Sequence, residues 1–218
     1  METKHKVFNL VILDESGSME MIKRPTISGF NELVETIRGV EQQYPEQEHL
    51  ISFVTFNGQG IRTLLWNEPA AQLKPIDGNR YQPNSSTPLY DAMGFGITRL
   101  KAEVEPLKEY NVLVTVLTDG EENASREYTG AAVKKLVDEL SAGNWTFTYM
   151  GANHDVAAFA MKISITNTLQ FEASAEDVHR MFREEKNARV NYSRKIRDKE
   201  DFKRGYFDKD NENNRDQN

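Results

Sequence analysis

The sequence predicts an α/β fold: a doubly wound, mostly parallel sheet with one antiparallel edge strand, sandwiched between helices in three α/β/α layers. Three observations carry this expectation. Short apolar runs at 7–13 (VFNLVIL), 112–117 (VLVTVL) and 145–150 (WTFTYM) have the length of buried strands. Segments with helical periodicity lie between them, and polar, turn-forming clusters follow the first two at 14–18 and 118–122. Such alternation of strand and helix is the pattern of a sheet wound on both faces.

Taken in order, the run 7–13 stops abruptly at Asp14, which places a polar loop at the strand's carboxyl end. Phe30, Leu33, Val34, Ile37 and Val40 then recur at helical spacing, with Ser28 as the expected N-cap and Gly39 near the end. Strands at 50–56 and 61–66 flank Asn57-Gly-Gln-Gly60, a connection short enough for a hairpin and hence for the antiparallel edge. Residues 84–88 (NSSTP) form a turn, and Pro88 suits the first position of a helix over 89–107. The strand at 112–117 is followed by helix 127–140 through Ala131, Ala132, Leu136 and Leu140. Strand 145–150, a short helix at 156–161 and a strand at 168–171 continue the alternation. A final helix over 174–193 is capped by Ser174, with Asp177 at the capping-box distance. Its many charges alternate in sign, which reads as a solvent-facing helix laced by i,i+4 pairs. The expected organisation is one domain over 5–193 and a charged, disordered tail over 194–218, too poor in apolar residues to order itself.

Composition narrows the function. With 34 acidic against 27 basic residues and a net charge of −7, the chain is poorly suited to coat a phosphate backbone. Cysteine is absent, which excludes disulfides, thiolate zinc sites and a cysteine nucleophile. Neither a signal-peptide core nor a run of the ~18 apolar residues needed to span a bilayer is present, so the expectation is cytoplasmic residence without a membrane partner.

The loop Asp14-Glu15-Ser16-Gly17-Ser18 brings a carboxylate and two hydroxyls to alternating positions of a tight turn, with Gly17 easing the bend. These are hard oxygen donors, suited to magnesium or manganese. Taken alone, the segment also reads as an ordinary serine-rich turn. Thr87 and Asp119 fall where predicted elements meet the same end of the sheet, where ligands of open α/β sheets collect. Separately, Thr87 reads equally as a helix cap and Asp119-Gly120 as a simple turn.

The segments Leu10-Val-Ile-Leu-Asp14-Glu-Ser16-Gly-Ser18-Met19, Ser86-Thr87-Pro88-Leu89-Tyr90-Asp91-Ala92 and Leu117-Thr118-Asp119-Gly120-Glu121 together resemble the von Willebrand factor A (vWA) domains, in their intracellular bacterial form, that carry a metal-ion-dependent adhesion site (MIDAS). The resemblance covers about residues 5–175. It implies a non-enzymatic protein-interaction domain in which Ser16, Ser18 and Thr87 ligate Mg²⁺, with Mn²⁺ or Ca²⁺ as substitutes, and Asp14 and Asp119 act directly or through water. A partner's Asp or Glu would take the open position, and similar intracellular domains work in AAA+ ATPase-associated complexes. Around this site Glu15, Glu121 and Glu122 are expected as solvated rim residues, and His154 as a loop histidine beside a helix cap. Tyr90 and Tyr128 fit an interface rim or ordinary packing equally.

The enzymatic alternative is a magnesium-dependent hydrolase or phosphatase with Asp14 as nucleophile. That chemistry normally has a second carboxylate two positions on, where this chain has Ser16. A Ser-His-Asp arrangement lacks the Gly-x-Ser-x-Gly elbow.

Overall fold

The computed structural model describes residues 4–208. Strands β1 (His5–Asp14), β2 (Gln47–Asn57), β3 (Gly60–Pro69), β4 (Tyr110–Thr118), β5 (Trp145–Gly151) and β6 (Asn167–Gln170) form one sheet in the order β3-β2-β1-β4-β5-β6. All neighbours pair in parallel except the β2–β3 hairpin, which supplies the expected antiparallel edge. Helices α1 (Lys23–Gln43), α2 (Leu89–Val104), α3 (Gly130–Ser141), α4 (Val156–Lys162) and α5 (Ala175–Asp198) cover its faces. Among the described residues no helix is long and apolar enough to cross a membrane.

Alternation within the strands sorts the helices into layers. Phe8, Leu10 and Ile12 of β1 point with Val112, Val114 and Val116 of β4 toward α2, α3 and α4. Val11 and Leu13 point the other way, with Ile51, Phe53 and Leu117, toward α1 and α5. A strand buried on both faces must be apolar throughout, which is why β1 and β4 read as unbroken runs. Thr129, Asp155 and Ser174 cap α3, α4 and α5 by accepting from backbone amides of the first turn.

Helix α2 ends at Val104 and α3 begins at Gly130, each three residues short of the sequence expectation, and two boundaries differ by more. Helix α1 begins at Lys23, after a 3-10 turn over Gly17–Ile22, so Ser28 lies inside the helix and does not cap it. Helix α5 runs past residue 193 to Asp198, and the chain then folds back so that Tyr206 packs with Val7, Leu113, Ala188 and Tyr192. Asn167 holds this return, donating to the Lys203 carbonyl and accepting from the Tyr206 amide. The segment 194–208 is therefore part of the packed body, because Ile196, Phe202, Tyr206 and Phe207 pack around Val7 of β1, Leu113 of β4 and Tyr192. The rest of the expected tail, 209–218, lies outside the described residues.

Close approach of α1 to α5 depends on Gly29, where an added Cβ would lie 1.9 Å from Cδ2 of the buried Phe182 ring. Helix propensity favours alanine over glycine by about 1 kcal/mol, but overpacking a closed core costs about 1–3 kcal/mol. Gly29→Ala is accordingly expected to lower the urea midpoint without changing the slope of the transition.

Beneath α5 the core turns polar. Asn9, His49 and Thr115 line the sheet there, facing Glu185 and Arg189, which are 0% and 1% exposed. The charged helix is thus not solvent-facing throughout. Arg189 donates to Glu185 Oε1, Asn9 Oδ1 and Thr115 Oγ1, while Glu185 Oε1 also accepts from Tyr206. His49 bridges Asn9 Nδ2 at 3.4 Å and Gln47 Oε1 at 3.2 Å, an arrangement satisfied by a neutral ring protonated at Nε2.

Burial, with the nearby charges of Arg189 and His5, lowers the His49 pKa from 6.5 to about 3. As pH falls below 6.5 the unfolded chain takes up this proton before the folded one, so stability declines from there down to about pH 3 and is unaffected above 6.5. By pH 5 the loss from this one residue is about 2 kcal/mol. Urea titrations of wild type and His49→Gln at pH 7 and pH 5 isolate it: the variant should lose less stability than wild type by roughly that amount.

Candidate functional site

The residues singled out in the sequence meet outside the carboxyl ends of β1 and β4, where strand order reverses between the two halves of the sheet. Asp14 ends β1, and the ladder to β2 continues one residue further through Glu15 N to Phe56 O at 2.8 Å. The segment carrying Thr87 is laid along this loop by Asn84 N to Glu15 O and Gly17 N to Ser85 O, both 2.9 Å. Gly58 in the hairpin admits that segment, since a Cβ there would strike Ser85 Oγ and Ser86 Oγ at 2.4 and 2.3 Å.

Ser16, Ser18 and Asp119 are directly joined. The two serine hydroxyl oxygens are 3.2 Å apart, and Ser18 Oγ donates to Asp119 Oδ1 at 2.6 Å. Gly120 lies against both Ser18 and Thr87: a Cβ on it would be in ordinary contact with Ser18 Oγ at 3.5 Å and Thr87 Oγ1 at 3.7 Å. Asp14 lies below this group, fully buried. Its Oδ1 accepts from Ser16 N at 2.7 Å and its Oδ2 from Thr118 Oγ1 at 2.6 Å. Burial drives the Asp14 pKa up to about 6 against these hydrogen bonds, and it raises Asp119 as well. Two desolvated carboxylates beside three hydroxyls form a donor set that matches a hard dication. No group of three or more His, Cys, Asp or Glu suited to a metal occurs among the described residues, so a site here depends on the hydroxyls.

Several positioning residues carry no signal in a local motif. Thr118 ties Asp14 to the Gly120 amide, and Tyr81 donates to the Asp14 carbonyl at 2.6 Å. Asn123 brackets Thr87, accepting from its amide through Oδ1 at 2.8 Å and donating to its carbonyl at 3.1 Å. Asp91 accepts from the amides of Arg126, Glu127 and Tyr128, pinning the loop that follows β4 across the start of α2. Asn153, held at φ 62°, donates to the Asp119 carbonyl. The run of short polar residues after β4 hinted at such anchoring, but the partners lie far away in sequence.

The acidic rim expected from the sequence is largely absent. Glu15 is 2% exposed and turned into an ion pair with Arg62, while Glu122 accepts from Tyr90 N, Ala124 N and Ser125 N and Oγ. Glu121 alone of the three is exposed. His154 is bound to the Ala152 carbonyl at 2.6 Å and to Tyr149 OH at 3.2 Å, so it approaches neither Ser16 nor Ser18 with a hydrogen bond. Tyr90 stacks on Phe159, and the Tyr128 ring fills the space over Gly94, which assigns both to packing.

No family model matches the chain, and no curated protein sequence matches it. Among solved structures it is similar to the pilus adhesin SpaC from Lactobacillus rhamnosus GG, at 14% identity and a TM-score of 0.59 over 87% of this chain and 30% of that one. It is similar also to proximal thread matrix protein 1 from the mussel byssus, at 13% identity and a TM-score of 0.52 over 83% and 45% of the two chains. The VWA domain of SpRpn10 aligns at 11% identity over 80% of this chain and 92% of its own, with a TM-score of 0.47, below the level at which a shared fold follows. At such identities the first two likenesses establish the fold alone, and the chain spans less than half the length of either protein.

Proposed function

We propose that the chain is a non-enzymatic, metal-dependent protein-interaction domain, in which Asp14, Ser16, Ser18, Thr87 and Asp119 hold a divalent cation and a partner protein contributes an Asp or Glu to it. The observation that carries this reading is the contiguous oxygen cluster of Ser16, Ser18 and Asp119 at the switch point, with the Thr87 hydroxyl on the other side of Gly120. The MIDAS-like order of the three sequence segments supports it. Mg²⁺ suits these donors best, with Mn²⁺ or Ca²⁺ as substitutes. When bound, the cation would supply an electrophilic position for the partner's carboxylate, since three of the five donors are neutral hydroxyls and a carboxylate acting through water would neutralise it only in part. The chain's own residues orient the cluster: Thr118 and Ser16 N fix Asp14, Asn123 fixes Thr87, and Asn153 fixes the backbone at Asp119. Pairing of Glu15 with Arg62 offsets one charge that would repel an acidic partner.

A magnesium-dependent phosphatase using Asp14 is the weaker reading. That chemistry normally needs a second carboxylate two positions on as general acid and base, and Ser16 stands there, its hydroxyl shared with Ser18. Calorimetric titration of metal-free protein with MgCl₂ and MnCl₂ tests the proposal, followed by titration with a glutamate-containing peptide in magnesium and in chelator. Saturable heat with the metal, and peptide binding only in its presence, is the expected result. No heat of metal binding would overturn it, as would magnesium-dependent turnover of p-nitrophenyl phosphate abolished by Asp14→Asn.

A further inference from the structure

Building on that reading of the site, we propose that Glu15 and Arg62 are a positioning pair, which fixes the segment leading to Thr87 and so keeps the Thr87 hydroxyl within reach of the ion. Glu15 lies between two of the proposed ligands in sequence, yet its buried carboxylate is bonded to the hairpin and to the connection that leads into α2. Arg62 Nη2 donates to Glu15 Oε1 at 2.7 Å and to the Arg80 carbonyl at 3.0 Å, and Gln82 N donates to Glu15 Oε1 at 2.6 Å. Backbone bonds run in addition from Asn84 N to Glu15 O and from Gly17 N to Ser85 O. Arg80, Gln82, Asn84 and Ser85 are thus each tied to the ion-binding loop or to β3.

The stretch has a physical reason to move when released. Ser85 has φ 66°, in the left-handed region, and a residue other than glycine persists there only where its surroundings fix it. On one side of this turn Asn123 holds Thr87 by its amide and its carbonyl. On the other, the backbone bonds hold residues 84 and 85, and the Glu15–Arg62 pair holds the approach at 80–82. Without the pair the backbone at Ser85 can relax toward ordinary φ values, and Thr87 follows two residues on. A carboxylate bound to a guanidinium is neutral overall, so the pair has little net field with which to attract or repel a cation. Its contribution is the placing of a ligand. Outer residues that place a metal ligand typically contribute roughly 10–100-fold in affinity, and the backbone bonds that remain put this pair at the low end.

The test is calorimetric titration of metal-free variants with MgCl₂. Glu15→Leu combined with Arg62→Met removes both tethers and both charges together, an exchange that is often neutral for stability, and the exposed Gln82 can turn its amide to water. This double variant should bind magnesium about tenfold more weakly than wild type. Thr87→Ala should lose affinity too, and adding it to the double variant should cost little more, because both changes withdraw the same hydroxyl. Gly29→Ala, destabilised at the α1–α5 contact, should bind magnesium as wild type does, which separates positioning from a general loss of stability. Arg62→Met alone, at a half-exposed position, leaves Glu15 charged. Charge would then strengthen cation binding and loss of position would weaken it. Weaker binding is expected, with Arg62→Lys binding more tightly than Arg62→Met. In metal-free protein the Asn84 amide should exchange with solvent faster in the double variant than in wild type. Wild-type affinity in the double variant, tighter binding by Arg62→Met, or losses that add in full with Thr87→Ala overturn the proposal. If wild type itself gives no heat with magnesium, the ion-site reading fails and this inference with it.

Discussion

Arg189→Ala is expected to destabilise the protein by about 3–5 kcal/mol, the range for removing one partner of a buried ion pair. The guanidinium and the Glu185 carboxylate are both out of solvent, and complete burial pushes the Glu185 pKa up even with Arg189 beside it. Without Arg189 that carboxylate has only Tyr206 OH as a donor, and Asn9 Oδ1 and Thr115 Oγ1 lose their partner too. Replacing both members, as Glu185→Leu with Arg189→Met, removes the buried charges together, and buried pairs exchanged this way are often neutral. Here Asn9 and Thr115 remain unsatisfied, so the double variant should recover only part of the loss, by about half. Urea denaturation of Glu185→Leu, Arg189→Met and the double variant measures the coupling. A double variant no more stable than Arg189→Ala would show that the hydrogen bonds to the strands, not the charges, hold α5 in place.

The second large effect belongs to Asp14. Asp14→Asn keeps the shape and the acceptor for Ser16 N, while the Thr118 hydroxyl can turn toward the Gly120 carbonyl. In chelator its stability should stay within about 1 kcal/mol of wild type, since one hydrogen bond is exchanged and a buried charge is relieved. In magnesium the two proteins should part. A ligand present at a hundred times its dissociation constant stabilises the folded state by about 2.7 kcal/mol, worth about 5–10 °C in Tm for a chain of this size. Wild type should show that rise and Asp14→Asn should not. Ser18→Ala, at an exposed position with side-chain bonds to Ser16 and Asp119, should behave likewise. A magnesium-induced shift of equal size in all three proteins would place the ion elsewhere.

Both experiments probe features that differ in how visibly the sequence displays them. The strands, the hairpin edge and the convergence of Asp14, Ser16, Ser18, Thr87 and Asp119 on one end of the sheet were legible because each rests on local pattern: an apolar run, a short polar connection, a motif following a strand. The Ser174 cap was legible for the same reason, since its partner Asp177 lies three residues away. The start of α1 was not, because the 3-10 turn ahead of it extends the helical body upstream of the serine that looked like a cap.

By itself, then, the sequence determined the layer architecture and the end of the sheet at which the loop's oxygen side chains gather, since periodicity and motif spacing act over a few residues. Only the tertiary structure decided which charged side chains are interior. Glu15 is drawn inward by Arg62, 47 residues on, and Arg189 finds Asn9 across 180 residues. Asn9 stands inside an otherwise apolar strand, and the group that meets it depends on which helix lands above β1. The desolvation of an ion is tolerated only where packing brings its counterpart within hydrogen-bond reach, and no window of consecutive residues contains that information.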